Sequence, residues 1–156
     1  MARWAKGEAT VTRLIEERHL QRVAADSDTV TSLLASARRH VKSATLTVEE
    51  DTEAAYTLGY DAARKAATSL MAHQGLRPTT TGGHLAVVEV MRAQFPGVPG
   101  LTSLDRLRRR RNQAEYPTPG GYDAITADEA TEAITVAATC ITSAERLLEL
   151  DALGIF

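Results

Sequence analysis

The sequence predicts an all-α fold, a single up-and-down bundle of five to six helices spanning residues 1–156. Three observations support this prediction. Apolar residues recur every three or four positions through most of the chain, which is the spacing of one helix face. No segment alternates long enough to indicate a strand, and no internal repeat is visible. Hydrophobic residues make up 44% but aromatic residues only 4%, so Ala, Leu and Val must fill the core, and these small side chains favour close helix packing.

The first two helices are predicted in the N-terminal third of the chain. Residues 8–25, within the N-terminal segment 1–27, have the pattern of a modest amphipathic helix. Its apolar face consists of Val11, Leu14, Ile15 and Val23. Asp26-Ser27-Asp28 then supplies capping side chains for a second helix, with which the core of the domain, about 28–150, begins. The apolar face of this second helix consists of Val30, Leu33, Leu34, Ala37 and Val41.

A long third helix is predicted over residues 47–74. Thr47 precedes Glu49 and Glu50, and acidic side chains are favourable in the first turn of a helix. One side carries apolar or small residues: Ala55, Leu58, Ala62, Ala66, Ser69 and Leu70. A glycine and a nearby proline follow the helix, which is typical of a helix end. We expect residues 76–83 to form a loop.

The fourth and fifth helices are separated by a turn-rich segment. The fourth is predicted over residues 84–95 and ends at the prolines and glycines of residues 96–100. Its inward face consists of Leu85, Val88, Met91 and Phe95. Thr102 or Ser103 caps the fifth helix, which stops at Tyr116 because a proline follows.

The sixth helix begins at a capping box formed by Thr126 and Glu129. Its apolar face consists of Ala130, Ile134, Ala137, Ile141, Ala144 and Leu148. The small residues of this helix, among them Ala133 and Ala138, suit a core and a dimer seam equally. The apolar tail, residues 153–156, packs either onto the bundle or onto a partner.

Composition limits the classes of function. The net charge is -2 at pH 7, so any contact with nucleic acid must come from a local basic patch. The single cysteine, Cys140, excludes an internal disulfide and is expected to be an inert core thiol. The first residues lack the apolar run of a signal peptide, and no segment is apolar enough to span a membrane. We therefore expect a cytoplasmic protein without membrane contact, and no metal or cofactor.

The densest charge lies in the fifth helix, at residues 106–111, where five of six residues are arginines. A solvated basic face is one interpretation of such a run. Leu104 and Leu107 begin an apolar stripe that, continued at helical spacing, reaches Arg111 and Ala114. The side chains between them, Arg108, Arg109 and Arg110, are expected to point outward. Arg111 interrupts the apolar face and must therefore find partners or line a polar cleft.

Arg111 is the strongest candidate for a site residue. Asn112, Glu115 and Tyr116 lie within about one turn of it, which groups a guanidinium, an amide, a carboxylate and a phenol at a helix end. A guanidinium is a planar fork of donors that suits phosphate or carboxylate. A purely structural role remains an alternative, in which Arg111 pairs with Glu115 or with an acid from another helix.

Several segments together resemble the HEPN superfamily. They are Tyr60 to Ala66, Gly75 to Pro78, Gly83-His84 and Arg108 to Tyr116. The chain is most similar to small, single-domain actinobacterial HEPN proteins, over most of its length and most strongly over residues 52–117. The resemblance implies a helical bundle that forms a homodimer, with the motif helices of two protomers meeting at a shared cleft.

In HEPN members that cleave RNA without a metal, an Arg followed by a polar residue precedes a His by four to six residues. Arg111-Asn112 matches the first half of this motif, and Tyr116 stands where the His is expected. A phenol titrates near pH ~10 and carries protons less readily than histidine at neutral pH. Glu115 is the other candidate for proton transfer. His84, which follows two glycines, is either a packing residue at a helix terminus or a residue of the cleft. The resemblance further implies that Arg106, Arg108, Arg109 and Arg110 attract RNA phosphates.

The resemblance leaves four functions open. The first is a metal-independent endoribonuclease acting as a toxin or defence effector, with Arg111, Asn112, Glu115 and Tyr116 as its catalytic residues. The second is a non-catalytic dimer that binds RNA or a nucleotide. The third, compatible with both, is regulation by a nucleotidyltransferase-type antitoxin that attaches AMP to Tyr116 or, less favourably, to Tyr122. The fourth is a helical dimerisation module without a site.

Overall fold

The computed structural model describes residues 3–156 and confirms the all-α helical bundle. Within these residues the chain forms six α-helices and one small antiparallel sheet. The elements are α1 Glu8–Glu16, β1 Leu20–Arg22, α2 Ser27–Thr47, α3 Thr52–His73, β2 Leu76–Pro78, α4 Gly83–Gln94, α5 Leu104–Glu115 and α6 Ala127–Leu148. A single 3₁₀ turn, Leu101–Ser103, leads into α5. None of the helices in the described part of the chain is long and apolar enough to cross a membrane.

The long helix α3 lies at the centre of the bundle and packs against α2, α6, α4 and α5. Small residues allow α3 and α6 to approach closely. A side chain added at Gly59 of α3 would place its Cβ 3.1 Å from the backbone of Ala133 on α6. Ala130, Ala133 and Ala137 are fully buried, whereas Ala138 is exposed. The small residues of α6 were predicted to suit a core or a dimer seam equally. Of these, Ala130, Ala133 and Ala137 belong to the core.

Side-chain caps fix the starts of α3 and α6. The capping box predicted for α6 is present: the Thr126 hydroxyl accepts from the Glu129 N–H, and the Glu129 carboxylate accepts from the Thr126 N–H. The third helix starts at Thr52 and not at residue 47, because the carboxylate of Asp51 accepts a hydrogen bond from the Ala54 N–H. The prediction placed the boundary between α2 and α3 about five residues too early.

The first helix and the loop after the third were predicted incorrectly. The helix expected over residues 8–25 ends at Glu16, and residues 20–22 instead form β1. The segment 76–83, expected to be a loop, begins with β2, which pairs with β1 so that Leu20 faces Pro78. Both strands have three residues, which is too short for an alternating pattern to be recognised.

The buried face of α4 also differs from the prediction. Leu85, expected to point inward, is 46% exposed, whereas Val88, Met91 and Phe95 are buried as expected. The inward face includes Ala86, Val87 and Val90 as well. These small side chains lie against α3 and α1.

The C-terminal tail packs onto the bundle. Leu153 and Phe156 are buried, and the Phe156 N–H donates to the Gln74 carbonyl at 3.0 Å. The Trp4 N–H donates to the Ile155 carbonyl at 3.0 Å, so the first described residues lie beside the tail. Cys140 is fully buried as expected, and burial raises the pKa of its thiol to about 12.

Candidate functional site

The inward stripe of α5 is as predicted, and Arg111 lies at its edge. Leu104, Leu107 and Ala114 are buried, and the side chain of Arg111 is 23% exposed. Leu104 and Leu107 anchor the helix to the core because burial of a leucine side chain stabilises the fold by about 1.5–3 kcal/mol. The next position of the stripe consequently holds the Arg111 guanidinium at the boundary between core and solvent.

Arg111 is only partly satisfied by its neighbours. Its Nη2 donates to Glu115 Oε2 at 2.8 Å, which is the local pairing considered as a structural alternative. The guanidinium carbon lies 6.0 Å from the centre of the Tyr60 ring, within the range of a cation–π contact. The Nε atom is buried and has no hydrogen-bond partner within the described residues. Arg111 therefore retains one unsatisfied donor, which the protein encloses.

Tyr60 connects Arg111 to a histidine on α4. The Tyr60 hydroxyl and His84 Nδ1 are 2.9 Å apart and share a hydrogen bond. Tyr60 is almost fully buried, and burial raises the pKa of its phenol to about 12. His84 is more exposed, and its pKa lies below the usual histidine value because of partial burial and then because of the charges of Arg64 and Arg111. The imidazole is therefore neutral at pH 7, since the unperturbed value is already near 6.5.

Arg64 of α3 completes this group. Its Nη2 lies 3.4 Å from Asp61 Oδ1, a long contact, and its Nε is buried without a partner in the described part of the chain. Arg64 and His84 line a cavity of about 490 Å³, whose wall also includes Arg77 of β2. We call Tyr60, Arg64, His84 and Arg111 the cleft cluster.

The other arginines of α5 do not all point outward as expected. Arg106 and Arg109 are exposed, and they pair with Glu132 and Asp105, respectively. The side chain of Arg108 is only 18% exposed and donates to Asp105 from Nε and Nη2. Arg110 is only 15% exposed. The expectation was wrong for Arg108 and Arg110 because acidic partners hold both side chains against the protein.

Arg110 connects α5 to the segment before α6. Its Nε donates to Glu129 Oε1 at 2.8 Å, and its Nη2 donates to Glu129 Oε2 at 3.2 Å. The same Nη2 also donates to the carbonyl oxygens of Asp123 and Ala124. These contacts raise the pKa of Arg110 and lower that of Glu129. Arg110 is thus engaged in holding the α5–α6 connection.

Tyr116 does not lie with Arg111 in one protomer. It is 71% exposed and lines a separate depression of about 320 Å³ with Arg110 and Gln113. Five residues advance a helix by about 140° around its axis beyond one turn, so the two side chains leave α5 in different directions. Asn112 is half-buried and Glu115 is exposed. Only Glu115 of the three predicted neighbours makes a hydrogen-bonded ion pair with Arg111.

The remaining histidines lie outside the cleft cluster. His19 is 3.6 Å from Glu17, and His73 Nε2 is 2.9 Å from the Leu153 carbonyl. His40 is half-buried on α2, with Nε2 3.4 Å from the Lys65 ammonium. Within residues 3–156, no three His, Cys, Asp or Glu side chains are grouped as metal ligands would be.

The arrangement is suited to binding an anion beside a neutral imidazole. Arg64 lines the same cavity as His84, the charges of Arg64 and Arg111 act on the imidazole, and a guanidinium fork binds phosphate oxygens well. Tyr60 and Arg64 were not predicted as site residues, because the cavity and the Tyr60–His84 hydrogen bond, which joins residues 24 positions apart, form only in the folded chain. No protein-family model, no curated protein and no solved structure matches the chain.

Proposed function

We propose that this chain is a HEPN-type endoribonuclease that cleaves RNA without a metal, as a cytoplasmic toxin or defence effector. The observation that carries the proposal is that Arg64 shares a cavity with His84, while Arg111 contacts Tyr60, the hydrogen-bond partner of His84. The resemblance of residues 60–66 and 108–116 to HEPN proteins supports RNA as the ligand.

The arginines fit the electrostatic requirement of RNA cleavage. Attack of a ribose 2′-oxygen on the adjacent phosphorus increases negative charge on the phosphate oxygens, and fixed cationic donors lower the barrier by stabilising that charge. In this proposal Arg111 binds the phosphate, and Asn112 on the same helix orients it. Arg111 must exchange its bond to Glu115 for the phosphate, which leaves the carboxylate free as an organiser.

The outer arginines are assigned the sequence-independent part of RNA binding. Arg106 and Arg109 are exposed and their ion pairs are solvated, so both can turn toward phosphates at small cost. Arg108 and Arg110, also predicted to bind RNA, contribute mainly through their positive charge because their hydrogen bonds are taken by Asp105 and Glu129.

In this proposal Tyr116 acts in the cleft of a second protomer or is modified by an antitoxin. In a homodimer whose α5 helices meet, the exposed Tyr116 of one protomer is available to the cleft of the other. Its exposure also suits attachment of AMP by a nucleotidyltransferase-type antitoxin, with Tyr122, which is exposed in the following loop, as the weaker acceptor.

A non-catalytic RNA-binding dimer is the second candidate. The observation that favours it is the separation of Tyr116 from Arg111 within one protomer, which leaves the motif without its proton-transferring partner. In this candidate the cleft holds RNA phosphates by the same arginines, and no bond is broken.

The experiment that separates the two is RNA cleavage in EDTA, on tRNA and on total RNA, with wild type, Arg111→Ala and Tyr116→Phe. EDTA silences contaminating metal-dependent nucleases. The endoribonuclease predicts cut product that disappears with Arg111→Ala. Salt-dependent RNA binding without cut product in any preparation selects the binding dimer. Absence of both binding and cleavage rejects the two candidates together and leaves a helical dimerisation module.

A further inference from the structure

We infer that His84, at the start of α4, is the general base of the cleft and replaces the histidine missing from the α5 motif. This inference rests on the proposed ribonuclease function. It moves proton transfer from the exposed end of α5 to the opposite wall of the cleft, where three independent features of the structure converge on the His84 ring.

The first feature is the orientation of the ring by Tyr60. The buried phenol holds Nδ1 at 2.9 Å, and the ring planes are inclined at 45° with centroids 5.8 Å apart. When Nδ1 carries the proton it donates to the Tyr60 hydroxyl oxygen, and the lone pair of Nε2 is free. Nε2 makes no hydrogen bond within residues 3–156, while His84 lines the cavity. A free, oriented ring nitrogen at a cavity wall is the geometry of a base.

The second feature is the set of charges around the ring. Arg64 and Asp61 face it from α3, and Arg111 and Arg108 face it from α5. Arg77 of β2 lines the same cavity. Burial is the largest cause of the lowered pKa of His84, and the charges of Arg64 and then Arg111 lower it further by disfavouring the protonated imidazole. The basic form is consequently populated at neutral pH.

The third feature is the proximity of phosphate-binding donors to the base. Arg64 lines the cavity with His84, and Arg111 reaches the same Tyr60 that holds the imidazole. A phosphodiester held between these guanidinium groups would bring its neighbouring ribose to the cavity wall formed by His84. Proximity of a base to a positioned nucleophile is the main requirement for this type of catalysis.

The chemical step balances without a metal or an added reactant. Nε2 of His84 takes the proton of the ribose 2′-hydroxyl while the 2′-oxygen forms a bond to phosphorus. The bond from phosphorus to the 5′-oxygen breaks, and that oxygen leaves with the electron pair and takes a proton from water. The products are a 2′,3′-cyclic phosphate and a 5′-hydroxyl. The imidazolium keeps its Nδ1–H bond to Tyr60 and later returns the added proton to solvent.

Tyr60 acts as a positioning residue in this scheme. It touches His84 and not the RNA, and its hydroxyl accepts from Nδ1–H most strongly when the ring is protonated. Its loss should therefore lower the pKa of His84 further and loosen the orientation of the ring, without removing the base.

The test compares His84→Gln, Tyr60→Phe and a matched control, His73→Gln, in two assays. The first is cleavage of tRNA in EDTA from pH 5 to 9, and the second is equilibrium binding of the same RNA. His73 is a suitable control because it lies outside the cleft cluster and its Nε2 contacts the Leu153 carbonyl. Circular dichroism and thermal unfolding establish that each variant is folded.

We expect His84→Gln to slow cleavage by about 10²-fold or more, which is the usual contribution of a general base, while RNA affinity stays within about threefold. Wild type should lose activity on acidification below the His84 pKa, and His84→Gln should lack this acid limb. Tyr60→Phe should move the limb to lower pH with a smaller loss of rate. Imidazole in the buffer should partly restore His84→Gln.

Two results overturn the inference, and they are distinguishable. Cleavage by His84→Gln at the wild-type rate, or with an unchanged acid limb, removes His84 as the base while the ribonuclease function stands. A folded wild type that yields no cut RNA removes the ribonuclease function, and this inference falls with it.

Discussion

Arg110 shows that an arginine in a basic run can use its hydrogen-bond donors within the protein. It bonds to both oxygens of Glu129 and to two loop carbonyls, and its side chain is mostly shielded from solvent. Charge-assisted bonds of this kind are stronger than those of an exposed pair. The density of arginines in residues 106–111 therefore serves stability as well as any ligand.

Replacement of Arg110 with Ala should lower the free energy of unfolding by about 1–2 kcal/mol, because a bidentate, partly buried pair and two carbonyl bonds are lost. The contribution should depend on pH. Arg110 lowers the pKa of Glu129 below its unperturbed value of 4.5, so the pair stabilises the fold fully above about that pH. The difference between wild type and variant should shrink as pH falls below 4.5 through the lowered pKa. Urea unfolding at pH 7 and pH 3 measures this, and an unchanged difference contradicts the account.

In the proposed complex with RNA, Glu115 competes with a phosphate for Arg111, because its carboxylate accepts from Nη2 at 2.8 Å. Glu115→Gln should therefore raise RNA affinity by about two- to fivefold, as a negative charge and a competing acceptor are lost. Fluorescence anisotropy with a labelled RNA measures the change. Glu145→Gln is the control, since Glu145 is likewise paired with an arginine, Arg38, on another part of the surface. Equal affinities for the two variants would show that Arg111 is not the RNA contact.

At the residue scale, the sequence predicts the features that depend on spacing within one helix. The stripe that continues from Leu104 to Arg111 is visible in the sequence, whereas the ion pair of Asp105 with Arg108 was not predicted. The contacts of Arg110 with Glu129, and of Tyr60 with His84, join residues 19 and 24 positions apart. Only the tertiary fold brings these side chains together, so no periodicity indicates them.

At the scale of elements, the contact of α3 with α6 determines the shape of the bundle. Gly59 and Ala133 meet so closely that a Cβ at Gly59 would come within 3.1 to 3.3 Å of Ala133. Protein interiors are packed as densely as organic crystals, so added volume at such a contact forces the helices apart. The position of α3 in turn fixes Tyr60 and Arg64 beside the cleft.

Ala133→Val and Ala138→Val are a matched pair for this contact, since both add two methyl groups to the same helix. Ala133→Val should lower the free energy of unfolding by about 1–3 kcal/mol through overpacking. Ala138→Val, at an exposed position, should change it by less than about 1 kcal/mol. Thermal and urea unfolding measure both. A larger effect at Ala138 would mean that this face is buried against another chain.

Elements with strong periodicity and caps were predicted well, and short elements were not. Both α2 and α6 begin within one or two residues of their predicted starts, because Asp26 and Thr126 cap them. The strands β1 and β2 were missed because three residues carry no period, and their pairing depends on contacts across more than 50 positions. The surroundings of His84 were missed for the same reason, since β2 forms one wall of its cavity.

At the scale of the whole molecule, the basic site is a local feature of a chain with a net charge of -2. The cavity beside His84 is lined by residues of α3, β2 and α4, and Arg111 of α5 contacts Tyr60, the hydrogen-bond partner of His84. The proposed RNA binding must therefore depend on this patch and decline steeply with salt. Because the basic patch is confined to one part of the surface, the composition of the whole chain does not indicate a ligand.

The proposed shared cleft requires a dimer. Sedimentation equilibrium at micromolar concentration should give twice the chain mass of 16.8 kDa. Gln113→Arg, which adds a charge to the exposed surface beside Tyr116, should weaken association if the α5 helices meet there. Arg146→Glu, on the last turn of α6, is the control and should leave the dimer intact. A monomer at every concentration would exclude the dimeric cleft.

The most direct test of the central claim is RNA binding by Arg111→Ala over a range of salt concentrations, with Arg146→Ala as the control of equal charge. We predict that Arg111→Ala weakens binding about tenfold at low salt and reduces the salt slope by about 0.7, the value for one lost phosphate contact on a single strand. Arg146→Ala, outside the cleft, should retain both affinity and slope within about twofold. Equal behaviour of the two folded variants would contradict the claim that the cleft around Arg111 holds an RNA phosphate.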